Sequence, residues 1–183
     1  MKFLWQENLY NEEYEEKYET NINVIVLNED FIKTISEPEK AALAYVATFI
    51  GNECSWDGSA NDDRSNLKCK ILSALNLGYQ CSNQHLGFLR QWFRNDKEVL
   101  KELENCPTTP DGATIQDTFD EINLEVKNNQ ITVFFKASGV NLREEKFWEW
   151  TEKLRFGFKE NELTLVDKEV SPIKHSSFEM QEN

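Results

Sequence analysis

The sequence is poor in histidine and glycine, and it contains no long apolar run. Only two of its 183 residues are histidines, and seven are glycines. No stretch approaches the roughly 18 consecutive apolar residues that suggest a membrane-spanning helix, so we expect no membrane partner. The apolar start of the chain reaches Glu7 too soon to form the core of a secretory signal peptide. This favours a cytoplasmic location, or an extracytoplasmic one if a signal has been removed.

Motifs of several common enzyme classes are absent as well. The sequence contains no P-loop of the form GxxxxGK, no dinucleotide-binding GxGxxG and no nucleophile elbow GxSxG. His175 lies in a terminal stretch without hydrophobic periodicity, so catalysis by an ordered histidine would depend on His85. Cys81, four residues earlier and near the start of a predicted helix, could supply a thiolate to pair with it. Both are weak catalytic candidates, because we favour buried structural residues as the explanation of this spacing.

Basic residues are outnumbered by acidic ones. The chain has 20 Lys and Arg against 33 Asp and Glu, a net charge of -13. Such a surface repels phosphate backbones and anionic lipid heads, so we expect no nucleic-acid partner. It attracts a protein with a basic surface and raises the rate of their encounter. The alternative explanation is that the acidic residues serve solubility alone.

The four cysteines are spaced too widely for a zinc knuckle. Cys54, Cys69, Cys81 and Cys106 are separated by 15, 12 and 25 residues, whereas zinc sites need close cysteine pairs. Two disulfides are possible, in three connectivities. We favour buried free thiols, because no export signal is visible and a domain of this size folds without covalent cross-links.

The acidic loop at 57–63 is the one weak candidate for a metal site. Asp57, Asp62 and Asp63 could contribute carboxylate ligands to a calcium ion. An EF-hand loop that began at Asp57 would need glycine at position 62 and glutamate at position 68, and it has neither. We therefore interpret the loop as a helix-capping loop and expect no metal or other cofactor.

The hydrophobic pattern changes at Cys106–Pro107. Apolar residues recur at helical spacing over about 30–106 and alternate at strand spacing over about 114–169. This predicts one α+β domain over 1–170, with a mainly helical N-terminal half of three to four helices packed on a C-terminal antiparallel β-meander of about four strands. Residues 171–183 lose periodicity, which predicts a mobile tail.

Local signals place several elements. Ser36 and Glu39 form the pattern of a capping box, and the apolar helix that follows predicts a central position. The pair Asn128–Asn129 predicts a tight hairpin turn, because asparagine tolerates positive φ. The β-branched run 22–27 predicts a short strand at an edge of the sheet.

Two segments are candidates for partner binding. Residues 7–19 are rich in glutamate, and four of these carboxylates are the first candidates: Glu12, Glu13, Glu15 and Glu16. Trp148 and Trp150 would share one face of a strand, where exposed aromatic side chains often anchor an interface. The alternative is that both segments pack against the body of the domain.

These observations favour a non-enzymatic acidic interaction protein. Inhibitors and immunity proteins that cap basic toxic enzymes have this character, which is an analogy of class and not a motif match. The first alternative is a hydrolase or cysteine-dependent enzyme that uses Cys81 and His85 or a carboxylate pair. The second is a domain that binds a small ligand between its helices and its sheet.

Overall fold

The fold was obtained as a computed structural model, which describes residues 1–10, 21–50, 67–106, 115–141 and 143–177. The strands are β1 (Lys2–Tyr10), β2 (Asn21–Leu27), β3 (Ile115–Lys127), β4 (Gln130–Asn141), β5 (Lys146–Lys159), β6 (Glu162–Val170) and β7 (Lys174–Ser177). The helices are α1 (Glu29–Thr34), α2 (Glu37–Thr48), α3 (Leu67–Ala74), α4 (Asn83–Trp92) and α5 (Lys97–Glu104). Across these ranges, no helix combines the length and the apolar character needed to cross a bilayer.

The strands form one seven-stranded antiparallel sheet in the order β2-β1-β3-β4-β5-β6, with β7 also paired to β5. The prediction of helices combined with an antiparallel sheet is confirmed. The prediction of about four strands is too low, because β1, β2 and β7 extend the four-stranded meander β3–β6. The helices do not form a clear N-terminal half, since β1 and β2 precede every described helix and belong to the same sheet.

The N-terminal hairpin explains this difference. β1 pairs with β2 from Leu4↔Leu27 to Tyr10↔Asn21. On its other side β1 pairs with β3, and the amino group of Met1 donates a hydrogen bond to the carbonyl of Leu124 at 2.7 Å. The first strand thus joins the sheet through pairing with a strand more than 110 positions away, which a local sequence pattern does not indicate.

Several local predictions are confirmed. Asn128 and Asn129 both have positive φ in the β3–β4 turn, as a tight hairpin turn requires. Ser36 caps α2, and its backbone N–H donates to the carboxylate of Glu39 at 2.9 Å. The α2 helix is central: all of its residues from Ala41 to Thr48 are buried, and it contacts α3, α4 and the sheet.

One face of the sheet meets the helices. In β4 and β5 this face carries Val133, Phe135 and Leu154, which are at most 2 % exposed, and Val133 pairs directly with Leu154. Its other face carries charged pairs such as Lys136 with Glu149 at 2.9 Å. The sheet is therefore half-buried, as is usual for an antiparallel sheet with helices on one side.

A disulfide joins Cys81, just before α4, to Cys106, just after α5. The expectation of free thiols is wrong for this pair, because the two helices bring residues 25 positions apart to a Cα–Cα distance of 5.9 Å. Cys54 and the side chain of Cys69 lie outside the described residues. Residues 174–177, within the expected tail 171–183, form the paired strand β7, and 178–183 also lie outside the described ranges.

Candidate functional site

A cleft of about 600 Å³ opens between the helices and the sheet, at the end of α2. The helices α2 and α5 form one wall, and strands β4, β5 and β6 form the other. Its apolar lining includes Tyr45, Phe49, Phe135, Trp150 and Leu154. Its charged lining consists of Glu98, Lys101, Glu102, Glu152 and Lys168.

The base of the cleft is aromatic and firmly packed. Tyr45 of α2 is only 3 % exposed, and its ring lies 5.1 Å from that of Phe49, 5.4 Å from Phe93 and 5.7 Å from Phe156, measured between centroids. Aromatic pairs at these separations stabilise each other beyond simple burial. The tyrosine ring is therefore held in place by neighbours from three elements.

The Tyr45 hydroxyl organises the helical wall. It donates a hydrogen bond of 2.5 Å to Oε2 of Glu102 in α5. Burial, this bond and the negative charges of Glu102, Asp96 and Glu152 raise the pKa of Tyr45 far above its ordinary value. Tyr45 thus stays a neutral donor and fixes the carboxylate of Glu102 toward the cleft.

The sheet wall holds a second carboxylate in the same manner. The indole N–H of Trp150 donates to Oε1 of Glu152 at 3.0 Å, and Nζ of Lys168 lies 3.0 Å from Oε2. The Glu152 side chain is 14 % exposed. The cleft therefore presents two carboxylates, Glu102 on the helical wall and Glu152 on the sheet wall, each oriented by an aromatic donor.

Both ends of α5 are attached to the rest of the fold. At its start, Oδ1 of Asp96 accepts from the backbone N–H of Val99 at 3.1 Å, and Oδ2 accepts from that of Leu165 in β6 at 2.8 Å. At its end, Cys106 is bonded to Cys81. These contacts fix the position of Glu102 relative to the sheet.

Trp148 and Trp150 lie on the same face of β5, as the alternation indicated, but their surroundings differ. Trp148 lies across Gly139 of β4, and its indole N–H donates to Oδ1 of Asp117 at 3.1 Å. Burial raises the pKa of Asp117, although the bond from Trp148 opposes that shift. Trp148 is thus hydrogen-bonded to a neighbouring part of the sheet, whereas Trp150 lines the cleft.

Cys81 and His85 are close in space, but in an arrangement unlike a thiolate–imidazole pair. The sulfur of Cys81 is bonded to Cys106, and the backbone N–H of Cys81 donates to Nδ1 of His85 at 3.1 Å. Nε2 of the fully buried His85 lies 3.2 Å from Oγ1 of Thr48, whose hydroxyl donates to the carbonyl of Ala44. Nε2 therefore carries the proton, and the neutral ring ties α4 to α2.

The remaining predicted site residues lie outside the described residues. These are the acidic candidates for partner binding, Glu12, Glu13, Glu15 and Glu16, and the loop candidates for a metal, Asp57, Asp62 and Asp63. In the part of the chain that the structure describes, no group of three or more His, Cys, Asp or Glu residues could hold a metal ion.

Sequence reasoning identified only Trp150 among the residues of the cleft. Trp150 and Glu152 stand two positions apart on one strand, so their shared face could have been read from the sequence. The sequence contains no signal that places Glu102 of α5 opposite that face.

Searches with this chain against protein-family models, curated proteins and solved structures find no match, so the function is argued from the site itself.

Proposed function

We propose that the protein is a non-enzymatic interaction protein that binds a partner with a basic surface, and that the cleft receives a cationic side chain of that partner. One observation carries this proposal. Glu102 and Glu152 face one aromatic-lined cleft from opposite walls, and each is oriented by an aromatic hydrogen-bond donor. A cation that entered the cleft would meet an oriented carboxylate on each wall, and at Glu152 it would compete with Lys168.

The aromatic lining favours the same class of ligand. A lysine or arginine side chain can bury its aliphatic stem on apolar surface, and its charge is attracted to the face of an indole ring such as that of Trp150. The net charge of -13 raises the encounter rate with a basic partner over the whole surface. The long-range attraction and the contacts inside the cleft therefore both favour a cationic ligand.

The class of partner is argued from the same features. An acidic protein that presents carboxylates to the cationic side chains of a basic surface fits an inhibitor or immunity-type protein that caps a basic enzyme. Charge pairs that become buried in such interfaces contribute to specificity and to slow dissociation. The reactive-cysteine alternative loses its motivation, because the sulfur of Cys81 is bonded to Cys106.

A two-dimensional NMR titration tests the proposal. The probe is an acetylated, amidated Gly-Arg-Gly-Arg-Gly peptide at low ionic strength, and the signal is the indole N–H of Trp150. The double variant Glu102→Gln, Glu152→Gln should bind the peptide about tenfold or more weakly than the wild type, because each carboxylate contributes on the order of 1 kcal/mol to a cation contact.

The matched control removes the same charge elsewhere. Glu104 lies on the exposed side of α5, and Glu160 lies in the β5–β6 turn, 81 % exposed at its side chain. The double variant Glu104→Gln, Glu160→Gln should therefore bind nearly as well as the wild type. Equal weakening by the two double variants would show that the peptide senses only net charge, and the cleft would be rejected as the site.

A second candidate function is the binding of a small cationic ligand. The volume of about 600 Å³ lies within the usual range for small-molecule sites, and the aromatic base would accommodate a ring. Benzamidine, which joins a ring to an amidinium group, distinguishes the two candidates. Tighter binding of benzamidine than of the arginine peptide would favour the small ligand.

A further inference from the structure

Glu152 has a cation bound to it within the chain. Lys168 of β6 is paired in register with Leu154, beside Glu152 on the same face, and its Nζ lies 3.0 Å from Glu152 Oε2. The second oxygen of Glu152 accepts from the indole of Trp150. Both oxygens are thus engaged, one by a fixed ring and one by a flexible lysine that is 48 % exposed at its side chain.

The two partners of Glu152 differ in how easily they can leave. Trp150 is anchored in β5, and its ring lines the cleft. Lys168 is a point charge on a flexible stem, and its side chain is 48 % exposed, so water and other cations can reach its ammonium group. An entering cation can therefore displace Lys168, whereas the bond from Trp150 can persist.

We infer, on the basis of the proposed function, that Lys168 is an autoinhibitory contact that occupies Glu152 until a cationic side chain of the partner displaces it. The free-energy cost of displacing Lys168 is the same for a lysine ligand and for an arginine ligand. A guanidinium group carries five donors in a plane, pairs with carboxylates through two parallel bonds and stacks on aromatic rings, so arginine offsets more of this cost than lysine does.

The peptide titration with Lys168 variants tests this inference. Removal of the internal competitor in Lys168→Met should tighten binding of the Gly-Arg-Gly-Arg-Gly peptide about two- to fivefold. Binding of the corresponding Gly-Lys-Gly-Lys-Gly peptide should tighten by the same factor, because both peptides displace the same internal lysine. Lys168→Arg should weaken binding of both peptides, because a bidentate internal partner is harder to displace.

Lys159→Met is the matched control for charge. Lys159 pairs with Glu160 at 3.6 Å, is 86 % exposed at its side chain and follows Leu154 by five positions along β5. The Lys159→Met variant removes the same charge from the same sheet, so it measures the effect of net charge alone on peptide affinity. The unfolding free energy of each variant, from urea denaturation, shows whether altered binding accompanies an altered fold.

The outcomes separate this inference from the proposed function. If the wild type binds the arginine peptide and Lys168→Met binds it no tighter than Lys159→Met does, Lys168 does not compete with the peptide, although the cleft stands as the site. If Trp150 shows no peptide-dependent shift in the wild type or in Lys168→Met, the proposed function fails and the inference fails with it. Support requires the affinity order Lys168→Met, wild type, Lys168→Arg for both peptides.

Discussion

Replacement of Gly139 by alanine should destabilise the protein, although alanine normally favours strand formation over glycine. A Cβ at this position would overlap both Oδ1 of Asp117 and the indole ring of Trp148. The indole would have to leave its place across β4, and its 3.1 Å hydrogen bond to Asp117 would break. The overlapping ring atoms are Nε1, which donates that bond, and its neighbour Cε2. A small rotation of the Trp148 side chain therefore cannot relieve the overlap.

The magnitude follows from three contributions. Overpacking at a well-packed site costs about 1–3 kcal/mol. Loss of the hydrogen bond costs about 1 kcal/mol, and the lower backbone entropy of alanine in the unfolded chain returns about 0.5–1 kcal/mol. We therefore expect Gly139→Ala to lower the unfolding free energy by about 1–3 kcal/mol, which leaves a typical domain folded at 25 °C.

Urea denaturation followed by far-UV circular dichroism measures this change, and two other glycines serve as controls. Gly87 lies in α4 with no atom within 4 Å of a built Cβ, so Gly87→Ala should raise the unfolding free energy by about 0.5–1 kcal/mol. A Cβ built at Gly157 would have only Val166 Cγ2 within 4 Å, at 3.3 Å. Gly157→Ala should therefore change the unfolding free energy little. A neutral or stabilising Gly139→Ala would refute the placement of Trp148 across β4.

Two further predictions concern the supports of the cleft, and a third concerns Asp117 beside Trp148. Asp96→Asn should lower the unfolding free energy in urea by about 1–2 kcal/mol, because one amide oxygen cannot replace two carboxylate oxygens that accept from separate backbone N–H groups. Removal of the disulfide in Cys81→Ala, Cys106→Ala should lower it by about 3 kcal/mol, as expected for a closed loop of this length. The pKa of Asp117 is raised in the folded protein by burial, so the folded state binds its proton more tightly than the unfolded state. The stability of the wild type relative to Asp117→Asn, which retains an acceptor for Trp148, should therefore fall as pH rises from about 4, and denaturation of both proteins across pH shows the sign.

Predictions that depended on near neighbours in the sequence succeeded. The capping box at Ser36 and Glu39 and the turn at Asn128–Asn129 are set by a few adjacent residues, and their side-chain chemistry is sufficient to specify them. The central position of α2 also followed from its own apolar faces. These features can be predicted without knowing which distant residues pack against them.

Predictions that depended on distant pairings failed or could not be made. The place of β1 depends on pairing of Lys2 with Asn123, for which a local pattern carries no signal. Cysteine spacing allowed three connectivities and could not select the bond between Cys81 and Cys106. The cleft brings Glu102 and Glu152 together from elements 50 positions apart, so its chemistry emerges only when α5 packs on the sheet.

The most direct test of the central claim is to locate a bound cation on the surface. A Gly-Arg-Gly-Arg-Gly peptide with a nitroxide spin label at its end broadens the NMR signals of nearby backbone amides. We expect the strongest broadening at Tyr45, Glu102 and Glu152, which line the cleft. Broadening centred on the opposite face of the sheet, around Phe134 and Glu149, or spread evenly over the acidic surface, would contradict it.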